Sequence, residues 1–185
     1  LIRIFMVLEL LNNITTNRYL HSLTILTLFY ALSQIVVFIS QKIILKITKR
    51  TKTDIDDLIV SKTSKPISFI LLLIGVRLSI IPHEIGPDML KIAEHIISSL
   101  IIAIVTYITI IIFNILISSW GKKFASKTES KIDDEVVNLF QKFARITLSL
   151  IGLILILDIW GVKVGPLRAS LGIAGLAVAF ALQNT

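Results

Sequence analysis

The chain has no cysteine among its 185 residues, which removes disulfides, thiolate nucleophiles and every cysteine-ligated metal site. Histidine is scarce as well. His21, His83 and His95 are not at metal-ligand spacing and each sits near the end of an apolar run, so they are read as interfacial side chains and no metal site is expected. No GxGxxG, Walker, nucleophile-elbow or HExxH pattern occurs, so nothing nominates an enzyme or a cofactor. Acidic residues number 12 against 19 basic ones, a net charge of +7. The excess suggests nucleic acid at first sight, but no basic face with interleaved aromatics is available, and nucleic acid is set aside as a partner.

What is abundant is apolar. Hydrophobic residues make up 55% of the chain and its mean hydropathy is +0.87, more than a soluble domain of this length can bury. An all-α membrane protein follows. About 20 mostly apolar residues span the hydrocarbon, and five segments qualify: Leu20–Gln41, Pro66–Ile81, Ile92–Ser119, Ile146–Trp160 and Leu167 to the end. The expected units are an N-terminal interfacial segment (1–19), a first peripheral hairpin (20–91), a second hairpin (92–166) and a last helix (167–185). The opening LIRIFMVLELLNN lacks a signal-peptide cleavage pattern, and both ends read as cut from something longer.

Basic residues set the orientation. They cluster between Lys42 and Lys65 and between Gly121 and Arg145, whereas the links PHEIGPDMLK and GVKVGP carry one lysine each. The two basic loops are expected in the cytoplasm of a multi-pass cell-membrane protein, with the N-terminus outside and the C-terminus inside. Trp120 and Trp160 stand at segment ends, as interfacial indoles do.

The two basic loops also resemble each other. TDIDDLIVSKTSKPISFILLLIG, from Thr53, aligns without gaps 77 residues later on SKIDDEVVNLFQKFARITLSLIG, and Ser22, Leu23, Ile25 and Tyr30 recur more weakly as Ser99, Leu100, Ile102 and Tyr107. A two-helix hairpin has been duplicated and one unpaired helix added. Two spans per unit give both copies the same orientation, unlike the inverted repeats of many transporters.

Several charged positions invite a functional reading. Asp54, Asp56 and Asp57, and Asp133, Asp134 and Glu135, have carboxylates suited to a divalent cation. Thr53-x-x-Asp56 and Ser130-x-x-Asp133 favour helix-start signals with loop ion pairs instead. Arg77 and Asp158 lie inside spans but within a turn or so of the outer boundary, where side chains snorkel to water; an Arg77–Asp158 pair is the alternative.

The last helix sorts into four stripes at 100° per residue. Gly172, Gly175 and Ala179 share one face, and Ala174, Ala177 and Ala181 another on nearly the opposite side. Small residues let backbones approach closely, and two opposed smooth faces let each helix touch a copy on either side, a contact that closes a ring. Ile173, Leu176 and Phe180 form a third stripe, and Leu171, Val178 and Leu182 a fourth. If Leu176 and Phe180 face the axis, they make two apolar collars that stop ions by dewetting. A small-residue packing helix inside a monomeric bundle is the plainer alternative.

WGVKVGPLRASLGIAGLAVAFALQNT resembles the pore-lining helix of the small-conductance mechanosensitive channel family, and IDDEVVNLFQKFARITLSLIGLILIL resembles the loop and helix before it. The resemblance implies a homo-oligomeric ring, usually a heptamer, that opens a weakly selective pore under membrane tension and releases ions and small osmolytes in osmotic stress. Carried over by position, Leu176 and Phe180 become the hydrophobic gate, Phe180 replacing a common leucine. Gly172, Gly175, Ala177 and Ala181 take the interhelix packing positions, with Ala179 where glycine is common. Gln183 and Asn184 become the hinge candidate, Asn184 standing where many members have glycine. Lys122, Lys123, Lys142 and Arg145 are expected at lipid headgroups. The family's cytoplasmic vestibule is not in this chain. The competing class is a transporter or non-conducting membrane scaffold; its midplane candidates are Asn114 and a few Ser and Thr.

Overall fold

A computed structural model describes residues 17–44, 55–83, 86–125 and 132–183. They form five α-helices and, among the described residues, no strand: α1 (Arg18–Phe38, continued by a π-helical turn Ile39–Ile44), α2 (Ile55–Ile80), α3 (Pro87–Ala125), α4 (Ile132–Ile159) and α5 (Gly165–Gln183). Local sequence explains the starts. Asn17 caps α1, its side-chain oxygen accepting from the Tyr19 N–H at 3.1 Å. Asp56 and Asp57 occupy the first turn of α2, where the helix dipole favours carboxylates. Pro87 opens α3 at the position that needs no N–H donor, with Asp88 in its first turn. The helix-start reading of the first acidic cluster therefore stands for Asp56 and Asp57. Asp54 and the side chains of Asp133 and Asp134 lie outside the described residues.

The helices extend beyond the apolar spans. Both Ile-Asp-Asp motifs sit at helix starts, so α2 runs through Pro66 and α4 begins well before Ile146. By length and composition α1, α2 and α3 can each cross a membrane. α4 carries Lys142, Arg145 and Asp158 within its apolar half, and α5 is a shorter apolar helix.

Successive helices are antiparallel and pack in the order α1, α2, α3, α4. The seam of α1 and α2 is lined with small hydroxyls while large apolar side chains point outward. Ser22, Ser33, Ser40, Thr63, Ser64 and Ser79 are buried, whereas Phe69, Tyr107, Phe143 and many leucines are exposed. Water is the wrong solvent for such a surface, and lipid is the right one: close packing and internal hydrogen bonds, not burial of large apolar groups, hold helices together there. The hydroxyls are satisfied locally, Thr63 donating to the Ile59 carbonyl at 2.7 Å and Ser79 to that of Val76 at 2.8 Å. The protein is an all-α, multi-pass membrane protein.

The duplication is visible in the packing. Gly75 sits against Phe29, and Gly152, 77 residues on, sits against Thr106, the equivalent of Phe29. A Cβ at either glycine would fall within 3 Å of that neighbour, at 2.9 Å from Phe29 Cγ and 2.8 Å from Thr106 Cγ2. The hairpins also close alike. Ser22 Oγ and His83 Nδ1 lie 3.3 Å apart, and their equivalents Ser99 Oγ and Trp160 Nε1 lie 3.0 Å apart.

Between the hairpins, Arg77 of α2 meets Glu94 of α3 at 3.4 Å. Ser79, which holds Ser22 of the first hairpin, lies beyond Arg77 in one direction along this seam and Ser99 beyond Glu94 in the other, so the two hairpin ends are staggered along α3. One copy of the duplicated unit thus rides along the long α3 relative to the other.

Candidate functional site

The candidate site is α5 and the turn that launches it. α4 ends in a Schellman motif: Val162 N–H donates to the Leu157 carbonyl at 3.1 Å and Gly161 N–H to that of Asp158 at 3.0 Å. Gly161 has φ +76°, a left-handed conformation that suits glycine because it has no Cβ. Three residues later Val164 is buried at 3% exposure and its carbonyl accepts the Arg168 N–H at 3.0 Å, starting the next helix. Pro166 has the fixed φ that an opening turn needs. Arg168 then reaches back to Asp158, Nη2 to Oδ2 at 2.6 Å, across the turn.

Beyond that turn α5 stands alone. It has no packed seam with another helix among the described residues, and its described side chains are exposed apart from the half-buried Leu171. Ile173, Leu176 and Phe180 are 69%, 60% and 65% exposed, a continuous apolar ridge at spacings of three and four. Gly172 and Gly175 meet nothing: a Cβ built on either would have no neighbour within 4 Å, in contrast to Gly75 and Gly152. Ala177, Ala179 and Ala181 lie on the same uncovered helix. Within one chain, therefore, nothing packs on the positions of Gly172 and Gly175.

Other expected site residues fall as follows. Gln183 is the last residue of α5, and Asn184 lies outside the described residues. Lys142 and Arg145 project exposed from α4, while Lys122 and Lys123 belong to α3 with side chains outside the described set. The Arg77–Asp158 pair does not form, because each charge finds a nearer partner across its own connection: Arg77 takes Glu94, and Asp158 takes Arg168. His95 rests edge-on against Trp160 and His83 against Tyr19, at ring separations of 5.5 and 5.3 Å. No three His, Asp or Glu among the described residues are grouped to hold a metal ion. Residue-level reading missed the Asp158–Arg168 tie; a carboxylate two residues before Trp-Gly and an arginine two after Gly-Pro was the available signal.

Comparison with known proteins converges on the same segment. Residues 142–183, the apolar half of α4 and all of α5, match the family model described as mechanosensitive ion channel, transmembrane helices 2/3. Over 180 residues the chain is 27% identical to the large-conductance mechanosensitive channel MscMJLR of Methanocaldococcus jannaschii, covering 97% of this chain and 50% of the relative. It is 31% identical over 159 residues to an uncharacterized MscS family protein of Aquifex aeolicus, covering 83% and 41%. It is also 28% identical over 167 residues to the small-conductance mechanosensitive channel MscMJ of Methanocaldococcus jannaschii, covering 88% and 46%. The chain thus spans half or less of the length of these relatives. No solved structure matches it at a significant level. With the apolar half of α4 and all of α5 inside the family's transmembrane segment and relatives aligned along nearly its whole length, the chain belongs to the MscS family.

Proposed function

We propose that this chain is the membrane portion of a tension-gated, weakly selective ion channel and not part of an enzyme. The observation that carries the reading is α5, a helix with two smooth faces and one bulky apolar ridge that finds no packing partner in its own chain. A helix of this kind in a family of channels is completed by copies of itself. Gly172, Gly175 and Ala179 of one subunit then face Ala177 and Ala181 of the next, and the ring so closed, a heptamer in this reading, leaves Leu176 and Phe180 around the axis as a hydrophobic gate.

The units act in sequence. The hairpin of α1 and α2 is peripheral and that of α3 and α4 is the tension paddle, with the N-terminus outside, the C-terminus in the cytoplasm and the cell membrane as the site. Tension favours whichever state occupies more area in the membrane plane, so the gate responds only through a free-energy difference between closed and open rings. Lys122, Lys123, Lys142 and Arg145 hold the paddle at anionic headgroups, and the Asp158–Arg168 pair transmits its tilt to α5. Gln183 and Asn184 supply the bend below the gate. The staggered hairpins support this reading, since ends set at different depths make the assembly sensitive to bilayer thickness and shape. Ions and small osmolytes are the permeants, released under hypo-osmotic stress.

The test is a pressure-ramp patch recording of the full-length protein in liposomes. Current that appears above a tension threshold and vanishes on release is expected. Silence from intact oligomers would return the chain to the transporter or scaffold class.

A further inference from the structure

The seam between α2 and α3 is open. Near the Ile55 end of α2 it holds a cavity of about 300 Å³ lined by Leu58, Lys62, Asn114, Ile115, Ser118 and Ser119. Next to it lies a second space of about 540 Å³, whose walls include Lys62, Lys65, Pro66, Phe69, Leu100 and Ala103. Lys62 borders both. On α3 the lining positions recur every three or four residues from Leu100 through Tyr107 and Ile111 to Ser118, so the two spaces form one groove along one helix face, roughly 27 Å long.

The groove has a polar end and an apolar end, with the lysines between. Both lysines are exposed, and among the described residues no carboxylate lies within 4 Å of either. At the polar end the Asn114 Oδ1 is buried without a hydrogen-bond partner, while the Asn114 carbonyl and Ser118 Oγ are already engaged by Gln141 Nε2. At the apolar end Pro66, Phe69, Leu100 and Ala103 offer only hydrocarbon contact. Depth agrees. Lys62 lies 18 residues before Ile80, the end of α2, or about 27 Å, so with Ile80 at one membrane face Lys62 falls at the headgroups of the other.

We propose that this groove binds an anionic glycerophospholipid of the leaflet facing the Ile55 end of α2. Its phosphate lies at Lys62 and Lys65, and one acyl chain lies along Phe69, Leu100 and Ala103. The proposal rests on the membrane placement of α2 and α3 and not on the channel reading. The groove joins the two hairpins, so an occupied seam ties the paddle to its periphery.

The experiment reconstitutes the full-length protein in vesicles of equal parts phosphatidylglycerol and phosphatidylcholine, then measures the co-purified lipids by mass spectrometry. Phosphatidylcholine offers no net charge. Phosphatidylglycerol is expected to be enriched roughly fivefold, the factor corresponding to about 1 kcal/mol for one lysine near the surface. Lys62→Gln with Lys65→Gln lowers the ratio, leaving the share owed to the other headgroup-facing cations. Ala103→Trp, which fills the groove and leaves both charges, does so too, whereas Lys91→Gln with Lys163→Gln keeps the enrichment. Enrichment undiminished by the first two changes, or absent from the wild type, overturns the proposal. So does an Ala103→Trp protein with altered oligomer size and unaltered lipid ratio, which would give the groove to a second copy of the chain. Currents recorded from the same preparations keep a failed channel distinct from an empty groove.

Discussion

The Trp160 indole donates to Ser99 Oγ at 3.0 Å where the second hairpin ends, and His83 stands against Ser22 in the same place 77 residues earlier. Each serine has already given its own proton to a carbonyl, Ser22 to that of Ser79 at 2.6 Å and Ser99 to that of His95 at 2.7 Å. The ring nitrogen facing it must therefore be the donor in both copies. Indole and imidazole are interchangeable here because each supplies one N–H on a flat ring, and a second aromatic ring packs edge-on against it.

This equivalence predicts a tolerated exchange. Trp160→His should keep the closure of the second hairpin, whereas Ser99→Ala, which strands the indole, should cost about 0.5–1.5 kcal/mol. Thermal denaturation of the purified oligomer measures both, and equal losses from the two changes would show that the ring contact, not the hydrogen bond, closes the hairpin.

The two close crossings should tolerate no side chain, as should Gly121, whose Cβ would fall against Val137 Cγ2. Gly152→Ala would press a methyl group against Thr106, and Gly75→Ala one against Phe29; each should cost about 1–3 kcal/mol as the helices are forced apart. Thr106→Ala in the Gly152→Ala background removes Oγ1 and Cγ2 and leaves only Cβ, 3.1 Å away, so thermal stability should largely return. No recovery would place the strain elsewhere in α4.

Gly175 should behave in the opposite way. Gly175→Leu meets nothing in its own chain, so the hairpins should fold and insert normally while the oligomer fails to assemble. Size-exclusion chromatography with light scattering separates the outcomes, and a normal ring would remove the packing role of this face.

For the gate, Leu176→Ser and Phe180→Ser each place a hydroxyl on the ridge that stands 60–65% exposed in the single chain. Wetting of the constriction should lower the opening pressure in both. An unchanged threshold in both, in the same liposomes as the wild type, would move the gate off this ridge.

The Asp158–Arg168 pair is about half exposed on both sides, so its contribution to stability is at most about 1 kcal/mol and falls with salt. On the proposed channel reading, its effect belongs in gating. Asp158→Asn should shift the pressure threshold more at low ionic strength than at high, and the charge-reversed pair Asp158→Arg with Arg168→Asp should restore it. A threshold insensitive to both substitutions would make the tie structural only.

Much of this protein is written one helix at a time. Apolar run lengths, the basic clusters and the 77-residue repeat need only local chemistry, and they mark α1 to α5 and the doubled hairpin before any contact is known. The same holds for the Ile-Asp-Asp starts, the Gly161 stop, and the four stripes of α5, since a helix of known period places its own residues around its axis. Tertiary structure decided what sequence distance cannot: that Arg77 takes Glu94 and Asp158 takes Arg168, that His83 and Trp160 are counterparts, and that the hairpins are offset along α3. It also separated two kinds of glycine that look alike in a sequence, Gly75 and Gly152 pressed against a neighbour, Gly172 and Gly175 facing open space. The reason is physical: a pattern fixes which side of a helix is smooth, while the partner on that side is chosen by all the seams packing at once.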